Sequence, residues 1–291
     1  MWLLILIGYS AFTVKTYAQD NKQDAKREIR IEKDSYASKV IDPEKKEQGQ
    51  NQYSKSINWN TVPNGPYSAT DAKTDFGNVL GWKERRTSIV DGTMRLLIEK
   101  NALSGAGGIV SNVDIPEASE YELSFKVKFD ENFDWGRGGK IGFGFRIGNG
   151  NAGCNKADGN GGSARMMWYN FGKNVVFKPY LYYYDMPGQC GDNLINTAKY
   201  PAEGSLRKNQ WYTIKIYVKS NTGKRQNGRV RYSVDGTVIL DEPIRWTAND
   251  DKRLINKFTF STFRGGSTMD WASSADGYVY FDELMWKKLG D

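Results

Sequence analysis

The sequence predicts an all-β fold, a sandwich or jelly roll of two antiparallel sheets. Short segments in which apolar and polar residues alternate recur along most of the 291-residue chain, as expected of half-buried strands. The chain contains 31 glycines but only 8 prolines, which suits many short strands joined by tight turns. No convincing helical periodicity follows residue 52. Strands rather than helices are therefore expected to form the core.

The first 52 residues differ in composition from the rest and fall into two parts. Residues 1–18 are largely apolar and end in Thr16-Tyr17-Ala18, which predicts a signal peptide. This apolar run is too short to span a bilayer, and no cysteine follows it directly, so we expect a secreted protein without a membrane anchor. Residues 19–52 are rich in Lys, Glu, Asp and Gln, which predicts a disordered charged linker. The folded domain is expected to cover residues 53–291.

Several strands of that domain can be placed from their patterns. Residues 121–129 alternate apolar and polar side chains without interruption, and residues 211–218 follow the same rule. Asp91-Gly92 and Asp235-Gly236 separate pairs of apolar runs, which predicts β-hairpins over residues 87–99 and 229–240. Residues 258–263 and 278–286 are expected to be the closing strands.

Charge and composition narrow the function. A net charge of +7 and a pI near 9.1 predict a polyanionic partner, either nucleic acid or an anionic polysaccharide; a merely soluble basic surface remains an alternative. The chain has no histidine, which excludes Ser-His-Asp and Cys-His catalysis and every zinc site that uses histidine. Proton transfer must therefore use Tyr, Lys, Asp or Glu. We expect no metal and no cofactor.

The two cysteines of the chain, Cys154 and Cys190, are too few for a four-cysteine metal site. In an exported protein, two cysteines are expected to form one disulfide. The bridge would tie a glycine-rich loop to the turn after a tyrosine-rich strand. We expect it to shape the site without entering the chemistry.

Residues 140–146 predict a strand with a chemically active face. By the two-residue period of a strand, Lys140, Gly142, Gly144 and Arg146 face one way, and the apolar residues between them face the core. Glycines between two cations would leave a shallow floor on which a flat ligand could lie.

Two further segments carry reactive side chains at alternate positions. In residues 163–168, Ser163 and Arg165 share a face with Met167. In residues 178–184, a lysine and three tyrosines are aligned: Lys178, Tyr180, Tyr182 and Tyr184. One sheet face is thus expected to gather two or three cations, a serine and several tyrosines. Taken singly none of these is specific, because tyrosines and Ser-x-Arg are common on strands.

This combination suits β-elimination on a uronic-acid polymer. The reaction removes the proton on C5, beside the C6 carboxylate, and expels the 4-O-glycosidic oxygen. A cation at the carboxylate stabilises the charge that develops there, and arginine pairs with carboxylate through two parallel hydrogen bonds. A tyrosine beside cations can act as acid or base.

Taken in order, the segments resemble polysaccharide lyase family 14. The resemblance covers roughly residues 59–287 and rests on Gly138-Gly139-Lys140, Ser163-x-Arg165-x-Met167-Trp168, Tyr180-x-Tyr182, Pro187-Gly188-x-x-Gly191-Asp192, Phe260 to Gly266, Trp271 and Tyr280-Phe281-Asp282. It implies a β-jelly-roll fold and cleavage of β-1,4-linked uronans, alginate or polymannuronate first and glucuronan next. It also implies an active cleft that contains Lys140, Ser163, Arg165, Tyr180 and Tyr182.

We expect these residues to have distinct roles. Tyr182 is the leading proton-transfer residue, with Tyr180 as the alternative or as a sugar contact. Arg165 and Lys140 are expected to hold the C6 carboxylate, and Ser163 to orient the substrate. The gap from Arg165 to the tyrosines is longer than is usual in the family, so Tyr182 with Tyr184 remains a possible pair.

Three side chains beside this set are expected to bind substrate, namely Arg146, Lys178 and Tyr184. The residues after Lys140 depart from the Leu-Pro-Gly that often follows in the family, which leaves open a non-catalytic carbohydrate-binding jelly roll. Nucleic-acid binding has only the charge in its favour, so we expect no nucleic-acid partner. The expected protein is a monomer that acts on an anionic polysaccharide.

Overall fold

The structure is a computed structural model that describes residues 53–266 and 268–291. The predicted signal peptide and charged linker, residues 1–18 and 19–52, lie outside the described residues. Within the described part, no helix is long and apolar enough to cross a membrane.

The described residues form a β-jelly roll of two antiparallel sheets, as the sequence predicts. The strands are β1 Ser54–Ile57, β2 Gly65–Pro66, β3 Val79–Leu80, β4 Thr87–Val90, β5 Thr93–Ile98, β6 Ile109–Ala118, β7 Glu120–Phe129, β8 Gly138–Gly148, β9 Gly161–Asn170, β10 Val175–Tyr182, β11 Trp211–Lys219, β12 Gly228–Val234, β13 Thr237–Ile244, β14 Ile255–Arg264 and β15 Gly277–Gly290. The larger sheet has the order β13-β12-β11-β7-β15-β5-β4-β2, with β1 also paired to β15, and the smaller sheet has the order β10-β9-β8-β14-β6-β3.

The alternating segments behave as predicted. In β7 every second residue is fully buried, from Tyr121 to Phe129, because these side chains form the inner face of the larger sheet. The hairpins at Asp91-Gly92 and Asp235-Gly236 are also confirmed. All four turn residues have positive φ, as two-residue hairpin turns between right-twisted strands require.

Helices are few in the described residues, and none of them was predicted from the sequence. Helix α1 covers Ala69–Phe76, α2 is a single turn at Ser104–Gly107, and 3₁₀ turns lie at Glu84–Arg86, Asp250–Lys252 and Met269–Trp271. Ser68 caps α1 by accepting from the amide of Asp71, whose carboxylate accepts from the amide of Ser68. This capping box is readable from Ser-x-x-Asp. It orients the helix so that Phe76 stacks on Trp286 in the core, with ring centroids 6.2 Å apart.

Aromatic packing between the sheets holds the smaller sheet in place. Phe143 of β8 lies 4.5 Å from Phe260 of β14 and 5.2 Å from Phe125 of the larger sheet, between ring centroids. Edge-to-face and offset stacks of this kind stabilise a core beyond simple burial. The apolar face of the smaller sheet is buried against the larger sheet, and polar side chains occupy its other face.

A bulge in β8 corrects one prediction. The register with β9 shifts between Ile141 and Phe145, and Gly142 has a φ of 74°. A Cβ on Gly142 would lie 2.2 Å from the ring of Phe125, so this residue faces the core. The expectation that Gly142 shares the outward face of Lys140 is therefore wrong, because a bulge breaks the two-residue period.

Candidate active site

A cavity of about 700 Å³ opens on the outer face of the smaller sheet. Strands β8, β9, β10 and β14 form its floor, and the segments that carry Cys154, Gly191 and Trp271 form its walls. Cavities of this size are typical of ligand sites in proteins. Pairing of Tyr180 with Arg165, and of Lys140 with Met167, brings the reactive positions of three strands side by side.

Arg165 is the most deeply buried cation of the cavity, with a relative exposure of 8%. Its guanidinium carbon lies 5.4 Å from the ring centroid of Tyr180 and 5.3 Å from that of Tyr182. Burial lowers the pKa of Arg165, and its Nε and Nη2 find no hydrogen-bond partner among the described residues. A buried guanidinium with open donors is costly, and an anionic group in the cavity would satisfy it.

Lys140 and Arg146 add to the positive potential. The Nζ of Lys140 lies 4.2 Å from the ring centroid of Tyr180. Burial, and then the charge of Arg165, lower the pKa of Lys140 to about 7, while burial lowers the pKa of Arg146. No Asp or Glu is found among the described residues that line the cavity. The site is therefore built for an anion.

Two tyrosines face these cations. The rings of Tyr180 and Tyr182 are edge to face, with centroids 5.7 Å apart. Burial, and then Tyr182, raise the pKa of Tyr180. The amide of Cys154 donates to the hydroxyl of Tyr182 at 2.9 Å, and the amide of Gly191 donates to the hydroxyl of Tyr180 at 3.1 Å.

The disulfide between Cys154 and Cys190 is confirmed. It joins the loop after β8 to the loop after β10, and both loops line the cavity. Each loop supplies one of the amides that hold the tyrosines. The bridge therefore shapes the site, as expected. The hydrogen bonds to the tyrosines come from backbone amides and not from the sulfur atoms.

Comparison with known proteins identifies the family. The model of the family polysaccharide lyase 14 matches residues 97–284. The chain belongs to polysaccharide lyase family 14. The alginate lyase Aly36B is 49% identical to this chain, and the match covers 81% of this chain and 97% of Aly36B with a TM-score of 0.79. The matched structure is a double variant, in which a lysine and a tyrosine are replaced by alanine, in complex with alginate tetrasaccharide.

Two viral proteins are more distant relatives. The alginate lyase vAL-1 from Chlorella virus is 25% identical, with a TM-score of 0.60 over 77% of this chain and 100% of its own. Exolysin of Paramecium bursaria Chlorella virus 1 is 32% identical over 172 residues, which are 50% of this chain and 26% of that protein. The chain thus spans about a quarter of the length of Exolysin. With the family established, the protein is a polysaccharide lyase.

Three predicted site residues of the lyase lie outside the lining of the cavity. Ser163 is buried, and its hydroxyl donates to the carbonyl oxygen of Asn151 at 2.8 Å. Lys178 is half-buried on β10. Tyr184 follows the end of β10 at Tyr182, so its expected alignment with the strand tyrosines is wrong. Direct contacts of these three residues with substrate remain predictions.

Tyr184 instead lies beneath Arg245, whose guanidinium carbon is 4.8 Å from the tyrosine ring centroid. Arg245 is in turn paired with Asp185. This cluster lies outside the cavity lining. It lies beside the loop that carries Cys154, since a Cβ on Gly159 of that loop would lie 3.1 Å from the ring of Tyr184.

The cavity also contains residues that strand patterns alone did not identify as site residues. Tyr169 continues the outward positions of Arg165 and Met167 on β9, so its place was readable from the two-residue period. Burial raises the pKa of Tyr169 to about 12. Phe263 and Trp271 come from a distant part of the chain, and only the family motif pointed to them.

The described residues contain no cluster of three or more His, Cys, Asp or Glu that could hold a metal ion. The ionisable side chains that line the candidate site are those of one lysine, two arginines and three tyrosines: Lys140, Arg146, Arg165, Tyr169, Tyr180 and Tyr182.

Proposed function

We propose that this lyase cleaves alginate by β-elimination, with polymannuronate as the preferred uronan and glucuronan as the next. The buried Arg165, with open donors facing an anion-binding cavity, carries this proposal. The C6 carboxylate of a uronate has the planar shape and charge that a guanidinium binds through two parallel hydrogen bonds. Such pairing strengthens as negative charge develops at the carboxylate, so it favours the transition state over the bound substrate.

The relatives support alginate as the polymer. Aly36B binds an alginate tetrasaccharide in the complex of its lysine and tyrosine double variant. Those two replaced residues are separated along their chain by the same number of residues as Lys140 and Tyr182. This supports the assignment of Lys140 and Tyr182 to the catalytic set.

Lys140 is the residue best suited to remove the C5 proton. With a pKa of about 7, its amine is substantially neutral at neutral pH, and a base is most effective when its pKa is near the working pH. The expected role of Lys140 as a carboxylate ligand stays a second possibility, since the protonated form could pair with the substrate.

Tyr182 is the residue best suited to protonate the leaving oxygen. Its oxygen accepts a hydrogen bond from the amide of Cys154, and this contact does not use the phenol's own proton. Lys140 takes the proton from C5, the electrons of that bond form the C4–C5 double bond, and the C4–O4 bond breaks. The departing oxygen takes the proton of Tyr182, which completes the elimination without water.

The remaining cavity residues would bind and orient the sugar chain. Tyr180, Tyr169 and Trp271 offer aromatic surfaces, and Arg146 offers a second cation. Ser163 would act from outside the cavity, since its hydroxyl fixes the loop that carries Cys154. Cations and tyrosines line the same cavity, which supports catalysis over the non-catalytic binding module. Secretion of the lyase remains a proposal from the sequence.

A substrate panel tests the proposal. Purified protein is incubated with polymannuronate, polyguluronate and glucuronan, and the ultraviolet absorbance of the C4–C5 double bond is followed. We expect the fastest increase with polymannuronate and none with Arg165→Ala. If no uronan yields an unsaturated product, the proposal is wrong.

A further inference from the structure

The outer face of the larger sheet carries a row of alternating aromatic rings and cations. Trp211 of β11 pairs with Lys128 of β7, Lys128 pairs with Tyr280 of β15, and Tyr280 pairs with Arg95 of β5. We call these four residues, with Tyr278, the back row. Since neighbouring strands lie about 4.8 Å apart, the four paired positions span about 14 Å.

The cations of the back row lie over its rings. The Nζ of Lys128 is 5.0 Å from the ring centroid of Trp211 and 4.8 Å from that of Tyr280. The guanidinium carbon of Arg95 is 4.6 Å from the ring centroid of Tyr278. All five side chains are half-buried, so their rings and charges together form a partly exposed surface.

Within the part of the chain that the structure describes, the two cations of the back row have no carboxylate partners, unlike neighbouring lysines on the same sheet face. On the same sheet face, Lys126 pairs with Glu283, and Lys287 pairs with Glu122. Among the ion pairs of the described residues, neither Lys128 nor Arg95 has a carboxylate partner. The carboxylate of Asp130 contacts the back row through a hydrogen bond of 3.0 Å from the hydroxyl of Tyr280.

A second cavity, of about 800 Å³, adjoins one end of the back row. Arg95 and Tyr278 line it together with Arg85 and Asn64. Glu84 also lines this cavity, and its carboxylate accepts the amide of Ala69 at 3.2 Å. Arg85 is exposed and belongs to none of the ion pairs found in the described residues, so it adds a third cation to this surface.

We propose that the back row and its adjoining cavity are a second binding surface for the anionic polysaccharide, separate from the catalytic cavity. Aromatic rings offer apolar faces on which sugar rings can stack, and the cations between them match the carboxylates of a uronan. That the polymer is a uronan rests on the proposed function. The surface itself rests on the ring and charge arrangement.

The position of this surface predicts how it would act. The two sheets lie about 10 Å apart, and the catalytic cavity opens on the opposite outer face. A tri- or tetrasaccharide would therefore occupy one site at a time, whereas a long chain can occupy both. Binding at the back row would keep the polymer near the enzyme and raise its effective concentration at the cavity.

The test compares two charge-matched double variants in a Tyr182→Phe background, so that turnover does not consume the polymer. Lys128→Gln with Arg95→Gln removes the charges of the back row. Lys126→Gln with Lys287→Gln removes two ion-paired charges from the same face. Affinity electrophoresis through gels that contain long polymannuronate measures binding, and thermal unfolding checks that each variant is folded.

We expect the back-row variant to bind the polymer at least about 10-fold more weakly, whereas the ion-paired control and the affinity for a tetrasaccharide change little. In the active background, the back-row variant should raise KM for long polymer with kcat unchanged. Equal polymer affinity of the two double variants would overturn the inference. If the double variant is unfolded, Arg95→Gln alone serves for the same comparison.

Two further outcomes separate this inference from the proposed function. Binding to polymannuronate that depends on the back row, without cleavage of any uronan, would support the surface and refute the proposed activity. Tighter row-dependent binding to single-stranded DNA than to polymannuronate would overturn the assignment to polysaccharide, since bases also stack on aromatic side chains.

Discussion

The amide of Cys154 donates a hydrogen bond of 2.9 Å to the hydroxyl oxygen of Tyr182. The disulfide partner of Cys154, Cys190, precedes Gly191, whose amide donates to the hydroxyl oxygen of Tyr180 at 3.1 Å. One covalent bridge thus fixes the two loops whose amides hold the two tyrosines. The hydrogen bonds to both phenols come from loop residues that lie outside the named strands.

Removing the bridge should therefore lower activity as well as stability. Replacement of Cys154 and Cys190 by serine opens a loop of 36 residues, which costs about 3–4 kcal/mol in the chain-entropy model. We expect kcat on polymannuronate to fall at least about 10-fold at a temperature where the variant is folded, because small misplacements of catalytic groups are costly. Reduction of the wild-type enzyme should reproduce the loss, and dithiothreitol should not affect the serine variant. Full kcat in the reduced enzyme would contradict this.

Replacement of Tyr182 by phenylalanine tests its role in proton transfer. We expect kcat to fall by about 100-fold or more with KM little changed, as is typical when a general acid is lost. Tyr184→Phe is the matched control, because Tyr184 lies outside the cavity lining beneath Arg245. Near-normal turnover by Tyr182→Phe, measured by initial rates of absorbance increase, would remove Tyr182 from the mechanism. Tyr180 would then be the next candidate for the proton-transfer residue.

The pH dependence of kcat/KM reports on Lys140. Burial and Arg165 lower its pKa to about 7, so the neutral amine becomes abundant above about pH 7 rather than near pH 10. If Lys140 removes the C5 proton, kcat/KM should rise as pH increases through about 7, and Lys140→Arg should be inactive throughout. A decrease of kcat/KM over the same interval would instead show that the protonated lysine binds the carboxylate.

Arg165 should lower the stability of the free enzyme. Two of its buried donors lack partners among the described residues, and each unsatisfied buried group costs about 1–3 kcal/mol. Arg165→Met keeps the apolar stem and removes the charge. In denaturant unfolding, we expect the free energy of unfolding of this variant to be higher than that of the wild type by about 1–3 kcal/mol. We also expect it to have no measurable lyase activity. A less stable variant would show that the guanidinium is satisfied in the folded protein.

Much of the fold was predictable because local patterns determine it. The alternation in β7 and the Asp-Gly turns depend on neighbouring residues only, and the structure confirms them. The core-facing Gly142 was missed because a bulge depends on the packing of Phe125 against it. Helix α1 was missed because a single capping box at Ser68 was outweighed by strand-like surroundings.

The candidate site was predictable for side chains on strands and less so for loops. Lys140, Arg165, Tyr180 and Tyr182 lie together because the two-residue period and antiparallel pairing place them on one face. The hydrogen bonds from the loop amides to the tyrosines depend on loop conformation, which no periodicity encodes. The back row likewise requires the order of strands β11-β7-β15-β5, which cannot be read from any single segment.

Gly191 offers a direct test of how tightly the tyrosines must be placed. A Cβ on Gly191 would lie 2.5 Å from Cζ of Tyr180 and 2.8 Å from Cε2 of Tyr182, closer than non-bonded atoms can approach. Gly191→Ala should therefore displace both rings and lower kcat at least about 10-fold, as misplacement of catalytic groups does. Gly188→Ala lies in the same loop, where a Cβ would meet nothing within 4 Å, and it should retain kcat. Equal kcat values for the two alanine variants would show that the catalytic geometry tolerates displacement of these rings.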